Sequence, residues 1–326
     1  MFGPYIHSID PIVMSVGGIH LWWYGLSYSL GFLNSHLFLR RNRTALGLSR
    51  QSVDDLTLWL AAGVLVGGRA VAVFNEWPFY RHHPLLIPAI WIGGMATHGL
   101  IAGGAAGVSI FCVLHRQPFR PALDVLAIAA AMILGCGRIG NFIDGQIVGT
   151  LTSVPWAVKF PDVDGYRHPV VLYDALKNFM LIPVLLWVRS RGVPPGRVAA
   201  LFLLLYPMLR IPIDLLRDYG VETAATGQTL NVIMAVTGLV LLVRNVLRRS
   251  ADHAEAPPPA RESPVGARAW RRVAIAGILA VPLIFPSDST RDVPAHYGKR
   301  HPHLVHSVMY PTIEPPNDKT RSIAAR

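Results

Sequence analysis

Residues 122–136, Ala122-Leu123-Asp124-Val125-Leu126-Ala127-Ile128-Ala129-Ala130-Ala131-Met132-Ile133-Leu134-Gly135-Cys136, run directly into Gly137-Arg138-Ile139-Gly140-Asn141-Phe142-Ile143-Asp144-Gly145-Gln146. The first stretch reads as a membrane span, and the second begins where that span emerges. An arginine is costly there, because its guanidinium stays protonated and must be hydrated or paired. The neighbouring glycines let a ligand approach the backbone, and Asn141 adds a hydrogen-bonding amide. This combination predicts a site for an anionic group held at the membrane surface, with a lipid phosphate as the natural candidate.

Composition agrees with a membrane protein. At 52% apolar, 15% charged and a mean hydropathy of +0.39, the chain is too apolar for an ordinary soluble domain. The apolar residues gather in bilayer-length runs instead of alternating with period two or 3.6. Seven runs stand out: 18–39, 56–74, 93–114, 122–136, 171–188, 198–215 and 229–243. Those shorter than the ~20 residues of a perpendicular span are expected to extend into flanking sequence or to sit in a thinned bilayer. The fold expected is an all-α polytopic membrane protein with seven transmembrane helices.

Basic residues set the expected orientation. Arg40, Arg41, Arg43 and Arg50 follow the first run, Arg116 and Arg120 the third, Arg189, Arg191 and Arg197 the fifth, and Arg244, Arg248 and Arg249 the seventh. The alternate loops hold fewer: Arg81, then Arg138, Lys159 and Arg167, then Arg217. The positive-inside rule therefore puts the N-terminus outside and the end of the seventh run in the cytoplasm. Arg138, Arg167 and Arg217 fall on the disfavoured side, which argues that chemistry keeps them. The net charge of +11 is scattered over loops and tail without a basic stripe. Anionic lipid headgroups account for it, and no nucleic-acid partner is expected.

Residues 1–249 read as one membrane unit. A Pro-, Ala- and Arg-rich linker follows at 250–272, then an apolar segment at 273–285. That segment is short, preceded by Arg271 and Arg272 and broken by Pro282, and reads as re-entrant or interfacial, with a thin eighth helix as the alternative. Residues 286–326 read as a polar, disordered tail, whose His296, His301, His303 and His306 are too loosely spaced for a metal site. Cys112 and Cys136 fall inside runs and read as packing residues, not as a disulfide, zinc site or nucleophile. The opening residues lack a basic n-region, so the first run reads as a span and not a cleaved leader. Walker, dinucleotide, HExxH and nucleophile-elbow motifs are absent, and neither cofactor nor metal is expected.

Polar groups within the runs are the functional candidates. His98, in Gly93-Gly94-Met95-Ala96-Thr97-His98-Gly99, is either a histidine satisfied by a carbonyl or a neutral imidazole able to take a proton. Tyr24 is either an interfacial aromatic or a substrate contact. Tyr206, Arg210, Asp214 and Arg217 recur at i, i+4, i+8 and i+11 on one helical face. Arg210 and Asp214 are either a structural ion pair or a second cationic phosphate ligand with its orienting carboxylate.

The decapeptide at 137–146 resembles the Gly-Arg-x-Gly-Asn-Phe-x-Asn-Gly-Glu motif of the prolipoprotein diacylglyceryl transferase family. Trp23-Tyr24-Gly25, Gly67-Gly68-Arg69, Gly93-Gly94 with His98-Gly99-Leu100, His168-Pro169 with Leu172-Tyr173-Asp174, and the pattern from Tyr206 to Arg217 follow in the family's order. The resemblance covers roughly 24–243. It implies a seven-span enzyme of the bacterial cytoplasmic membrane. Such an enzyme moves the diacylglyceryl group of phosphatidylglycerol onto the lipobox cysteine of a prolipoprotein signal peptide, forming a thioether and releasing glycerol phosphate. Arg138 and Arg210 would hold the phosphate, Asn141 and Tyr24 would position headgroup or thiol, and His98 would be the base. Asp214 would orient Arg210, and Asp144, Gly149 and Arg217 would complete the substrate site.

The chain departs from the family where Asp144-Gly145-Gln146 stands for Asn-Gly-Glu and Asp214 for Glu. Loss of the glutamate charge leaves a rival reading, a non-catalytic phospholipid-binding protein of the same family. A transporter is the other rival, but no internal repeat supports it.

Overall fold

A computed structural model describes residues 4–44, 47–145, 147–161, 163–218, 221–247, 267–287, 292–298 and 304–313. The Gln146 position, most of the linker, His301 and His303 lie outside them, as do the side chains of His98 and His296. The described elements are β1 (Tyr5–Ile6), β2 (Ile12–Val16), β3 (Ile19–Trp22), α1 (Trp23–Arg41), α2 (Arg50–Asn75), α3 (Trp77–Tyr80), α4 (Thr97–Leu114), α5 (Phe119–Asp144), β4 (Val158–Lys159), α6 (Val170–Ser190), α7 (Arg197–Leu215), α8 (Val221–Leu247), α9 (Ala267–Ala280) and α10 (Val293–Tyr297).

The molecule is a mainly helical membrane protein. Among the described residues, five helices are long and apolar enough to cross a bilayer: Arg50–Asn75, Phe119–Asp144, Val170–Ser190, Arg197–Leu215 and Gly227–Asn245. The other two expected spans fall below that measure. In α4 the apolar stretch is Gly99–Leu114. In α1, Ser27, Ser29, Asn34, Ser35 and His36 dilute the apolar content. One of these serines also ties α1 to α5: Ser35 Oγ donates to the carbonyls of Gly31 (2.8 Å) and, on α5, Ala129 (3.2 Å).

The first run also begins differently from expectation. Residues 12–22 form an antiparallel hairpin, and the helix starts only at Trp23. Gly17 and Gly18, at φ 59° and 81°, make the two-residue turn, a conformation that side chains other than glycine resist. Apolar composition counts hairpin and helix alike, which is why the run appeared longer.

Two devices set the helix packing. Glycines at 63 and 67 on α2 face glycines at 99, 103 and 107 on α4, so the backbones touch along a four-residue spacing. A Cβ on Gly103 would lie 2.0 Å from the Gly63 carbonyl oxygen, and one on Gly67 would lie 2.4 Å from that of Gly99. At the opposite side of the bundle, Asp124 of α5 accepts from the Gly196 (2.7 Å) and Ala199 (2.8 Å) amides at the start of α7. A carboxylate there satisfies helix N-terminal donors and fixes α7 on α5.

Part of the stretch expected to be a polar tail is packed. Phe285, Val293, Tyr297, Leu304 and Tyr310 join Trp22, Tyr24, Ile92 and Met95 in one buried cluster. Two buried tyrosines and scattered aliphatics suffice for this without any apolar periodicity, so composition did not reveal it. Asp292 helps hold the segment. Its carboxylate accepts from the amides of Ala295 (3.0 Å) and Ile313 (3.2 Å) and lies 2.9 Å from His306 Nε2. Partial burial pushes its pKa up, but these donors outweigh burial and hold it below the ordinary aspartate range.

Two outcomes follow. Gly103→Val should push α4 off α2 and destabilise the protein by about 1–3 kcal/mol, the usual range for overpacking, read as a lower melting midpoint in detergent. The Asp292 contribution is complete above the ordinary aspartate pKa and is lost as pH falls through the lowered value. Hydrogen exchange at the Ala295 and Ile313 amides, corrected for intrinsic rate, should therefore show protection that fades below about pH 4. Asp292→Asn should weaken that protection at neutral pH and abolish its acid dependence.

Candidate functional site

Three helices bring charge to one level of the bundle. Arg138 and Asn141 lie one turn apart on α5, Asp174 and Lys177 one turn apart on α6, and Arg210 and Asp214 one turn apart on α7. Asp174 is the hub. Its Oδ2 lies 2.6 Å from Arg138 Nε and 2.5 Å from Arg210 Nη1. Its Oδ1 meets Lys177 Nζ at 2.5 Å, an ion pair without hydrogen-bond alignment. Lys177 Nζ also sits 3.8 Å from the centre of the Tyr206 ring. Arg138 and Asp174 are 6% and 3% exposed, so mutual pairing replaces the water that would otherwise solvate them.

Arg210 has a second partner, Asp214 Oδ2 at 3.2 Å, which in turn accepts from Asn231 Nδ2 of α8 at 3.2 Å. The pairing expected one turn along α7 is present, but the shorter contact runs to Asp174 on another helix. Pro207 and Pro212 flank Arg210 and remove two helical hydrogen bonds around it. Arg138, Lys177, Arg210 and Arg217 gather about Asp174 and Asp214, so this cluster carries more positive than negative charge. Arg138, Asp174, Arg210, Asp214 and Arg217 line one pocket with Ile147, Val170, Val171 and Ile213. The arrangement suits a bound anion that neutralises the excess.

Backbone pairing sets the rim of this pocket. Gly149 bridges antiparallel to Arg217, flanked by Thr150 N–H to the Leu216 carbonyl (2.8 Å) and Asp218 N–H to the Val148 carbonyl (3.1 Å). A Cβ on Gly149 would lie 2.5 Å from the His168 carbonyl oxygen, so a side chain there would break the contact. Arg167 closes the corner, its Nη1 donating to the Gly149 carbonyl (3.1 Å) and pairing with Asp218 Oδ2 (2.6 Å).

The remaining candidates sit at the end of α5 and beside it. Arg138 Nη1 donates to Asn141 Oδ1 at 3.0 Å. Asn141 Nδ2 donates to Ser287 Oγ at 3.3 Å. Asp144 is buried and accepts from the Tyr297 hydroxyl at 2.6 Å. Among the described residues it does not line the charged pocket. Gly145, at φ 74°, ends α5 in the left-handed conformation and donates its N–H to Asn141. Tyr24 of α1 is 3% exposed, lies with its ring 4.9 Å from and tilted against that of Tyr28, and packs at Gly140, where a Cβ would lie 2.8 Å from the Tyr24 Cα. His98 falls in the first turn of α4, its side chain outside the described residues.

Asp174 and Lys177 were not among the residues selected from sequence. The signal was available: an acid and a base at i, i+3 inside the run 171–188, the same argument that singled out Arg210 and Asp214. Ser287 and Asn231 carried no comparable signal. Among the described residues no three His, Cys, Asp or Glu side chains converge as metal ligands. Beginning about one turn deeper than Arg138 and running along α5 from Leu134 back to Leu123 lies an apolar cavity of about 280 Å³, also lined by Leu60, Val64, Ile101 and Phe202.

Comparison with known proteins gives a consistent result. The family described as prolipoprotein diacylglyceryl transferase matches residues 11–244. The phosphatidylglycerol–prolipoprotein diacylglyceryl transferase of Chromohalobacter salexigens is 36% identical over 247 residues, 72% of this chain and 92% of the relative. The proteins of the same name from Mannheimia succiniciproducens and Nitratidesulfovibrio vulgaris are 36% and 35% identical. They cover 75% and 73% of this chain, and 96% and 94% of their own lengths.

Asp174→Asn should leave Arg138, Lys177 and Arg210 crowded without their shared counter-charge. Breaking a buried ion pair from one side costs about 3–5 kcal/mol. A large drop in the detergent melting midpoint is the expected outcome. An unchanged midpoint would mean that the three cations are solvated without Asp174.

Proposed function

We infer the activity from the family: this chain belongs to the prolipoprotein diacylglyceryl transferases. It is an enzyme that transfers the diacylglyceryl group of phosphatidylglycerol to a prolipoprotein. The acceptor is the thiol of the lipobox cysteine. The protein lies in the bacterial cytoplasmic membrane with α1 and α4 completing seven crossings, its N-terminus and charged pocket facing outside, where secreted prolipoproteins emerge.

The thiol sulfur forms a bond to a glyceryl carbon, whose bond to the phosphate oxygen breaks. The electron pair leaves with glycerol phosphate, and the thiol proton passes to a base. Negative charge grows on the phosphate as this happens, so cations that gather more tightly in the transition state accelerate the step. Arg138 and Arg210 hold the phosphate, with Arg217 at the rim. Asp174 and Asp214 fix the two guanidiniums, Asn141 and Tyr24 position headgroup or thiol, and Gly149 and Asp144 shape the site. His98 is the proposed proton acceptor, a role that the family resemblance implies. The apolar cavity receives acyl chain, whose burial recovers ~0.8 kcal/mol per methylene.

One observation carries the assignment of the site: two arginines from separate helices converge on a single carboxylate oxygen within a cation-rich pocket. The excess of cations over carboxylates supports a site for a phosphodiester, because a purely structural ion pair does not need the additional cations.

The test is to incubate the purified protein with phosphatidylglycerol and a lipobox peptide and to look for the diacylglyceryl mass on the cysteine. No adduct would overturn the transferase reading in favour of a lipid-binding relative. Arg138→Ala should lower the rate by on the order of a hundredfold or more while the protein still inserts. Arg138→Lys should restore little, because a point charge lacks the guanidinium fork.

A further inference from the structure

The segment beyond the family match has its own path. Arg271, near the start of α9, pairs with Asp55 in the second turn of α2 at 2.7 Å. The 3-10 turn that follows α9, Val281–Ile284, reaches the first turn of α1, where a Cβ on Gly25 would lie 1.8 Å from the Pro282 carbonyl oxygen. These two contacts are at opposite ends of the bundle, since α1 starts at the end where α2 stops. Fourteen α-helical residues and four in a 3-10 turn advance about 29 Å, of which the apolar part after Arg272 is about 20 Å, so a crossing here requires a locally thinned bilayer.

Beyond that path the chain meets the site. Ser287 is 1% exposed, and its Oγ accepts from Asn141, whose own oxygen accepts from Arg138. Tyr297 is fully buried against Trp22 (ring centres 4.8 Å), and its hydroxyl donates to Asp144, the last residue of α5. Tyr310 stacks on His20 at 4.9 Å, and Trp91 Nε1 donates to the Met309 carbonyl at 2.7 Å. The family match stops at 244, before all of this.

We propose that the chain crosses the membrane an eighth time at 267–284, and that Ser287 and Tyr297 beyond this crossing are positioning residues of the transfer site. Ser287 holds the Asn141 amide in the orientation that receives Arg138. Tyr297 holds the end of the helix that carries both. The aspartate at 144, where the family has asparagine, is then the charged acceptor that docks this added segment. The positioning half rests on the transferase reading, whereas the crossing does not.

The experiment uses the full chain and has two readouts. With Cys112→Ala and Cys136→Ala as background, Val308→Cys places a thiol at a 99% exposed position. A membrane-impermeant maleimide should label it in intact spheroplasts, and labelling only after permeabilisation would overturn the crossing. In the transfer assay, Ser287→Ala should lower kcat about three- to tenfold, the effect of one hydrogen bond, with little change in melting midpoint. Ser287→Thr should recover it. Tyr297→Phe should cost a similar factor, and nothing further once Asp144→Asn is present. Wild-type kcat in both Ser287→Ala and Tyr297→Phe, or a lowered midpoint with kcat unchanged, would overturn the positioning role. Should Tyr297→Phe not fold, the Ser287 pair decides. Absence of transfer by the unmodified protein would overturn the transferase reading and the positioning role together, while labelling still decides the crossing.

Discussion

One carboxylate oxygen organises this molecule. Oδ2 of Asp174 is shared by guanidiniums from α5 and α7, and the other oxygen faces an ammonium on its own helix. In a low-dielectric interior none of these charges tolerates isolation, so α5, α6 and α7 must meet at this level and in this register. The Asp124 clamp fixes α5 to α7 again at the far end. With both ends tied, the two prolines of α7 can weaken its middle without letting Arg210 drift.

The same sharing bears on chemistry. Asp174 serves three cations, Asp214 shares Arg210, and Arg217 lies at the rim of the same pocket. The phosphodiester of the proposed reaction would meet four cations held by two carboxylates. An apolar cavity begins one helical turn deeper and runs on along α5. Charged and apolar surfaces thus follow one another along the same helices, the order that the proposed headgroup and acyl-chain sites require.

Much of this was legible in the sequence. Bilayer-length runs located the helical bundle, and an arginine among glycines located the pocket, because both signals are local. Arg138, Arg210, Asp214 and Arg217 do come together around one pocket. The hub did not emerge, since Asp174 lies in a run whose strongly apolar neighbours outweighed its i, i+3 partner. The hairpin at 12–22 was hidden because hydropathy does not distinguish strand from helix over a short apolar stretch. Tyr297 and Ser287 were invisible for another reason. Their partners are 153 and 146 residues away, and nothing in a polar stretch with two aromatic anchors announces such a contact.

That separation in sequence has a temporal meaning. A polytopic protein is inserted in order as it leaves the ribosome, so α5, α6 and α7 can settle their charges long before residue 287 exists. The arginines are neutralised early by a carboxylate made between them, which keeps the half-built bundle tolerable to the bilayer. Asn141 and Asp144 gain Ser287 and Tyr297 as further partners only after those later residues have been made. The contacts at the end of α5 are therefore completed after the ion cluster, in an order that chain synthesis imposes.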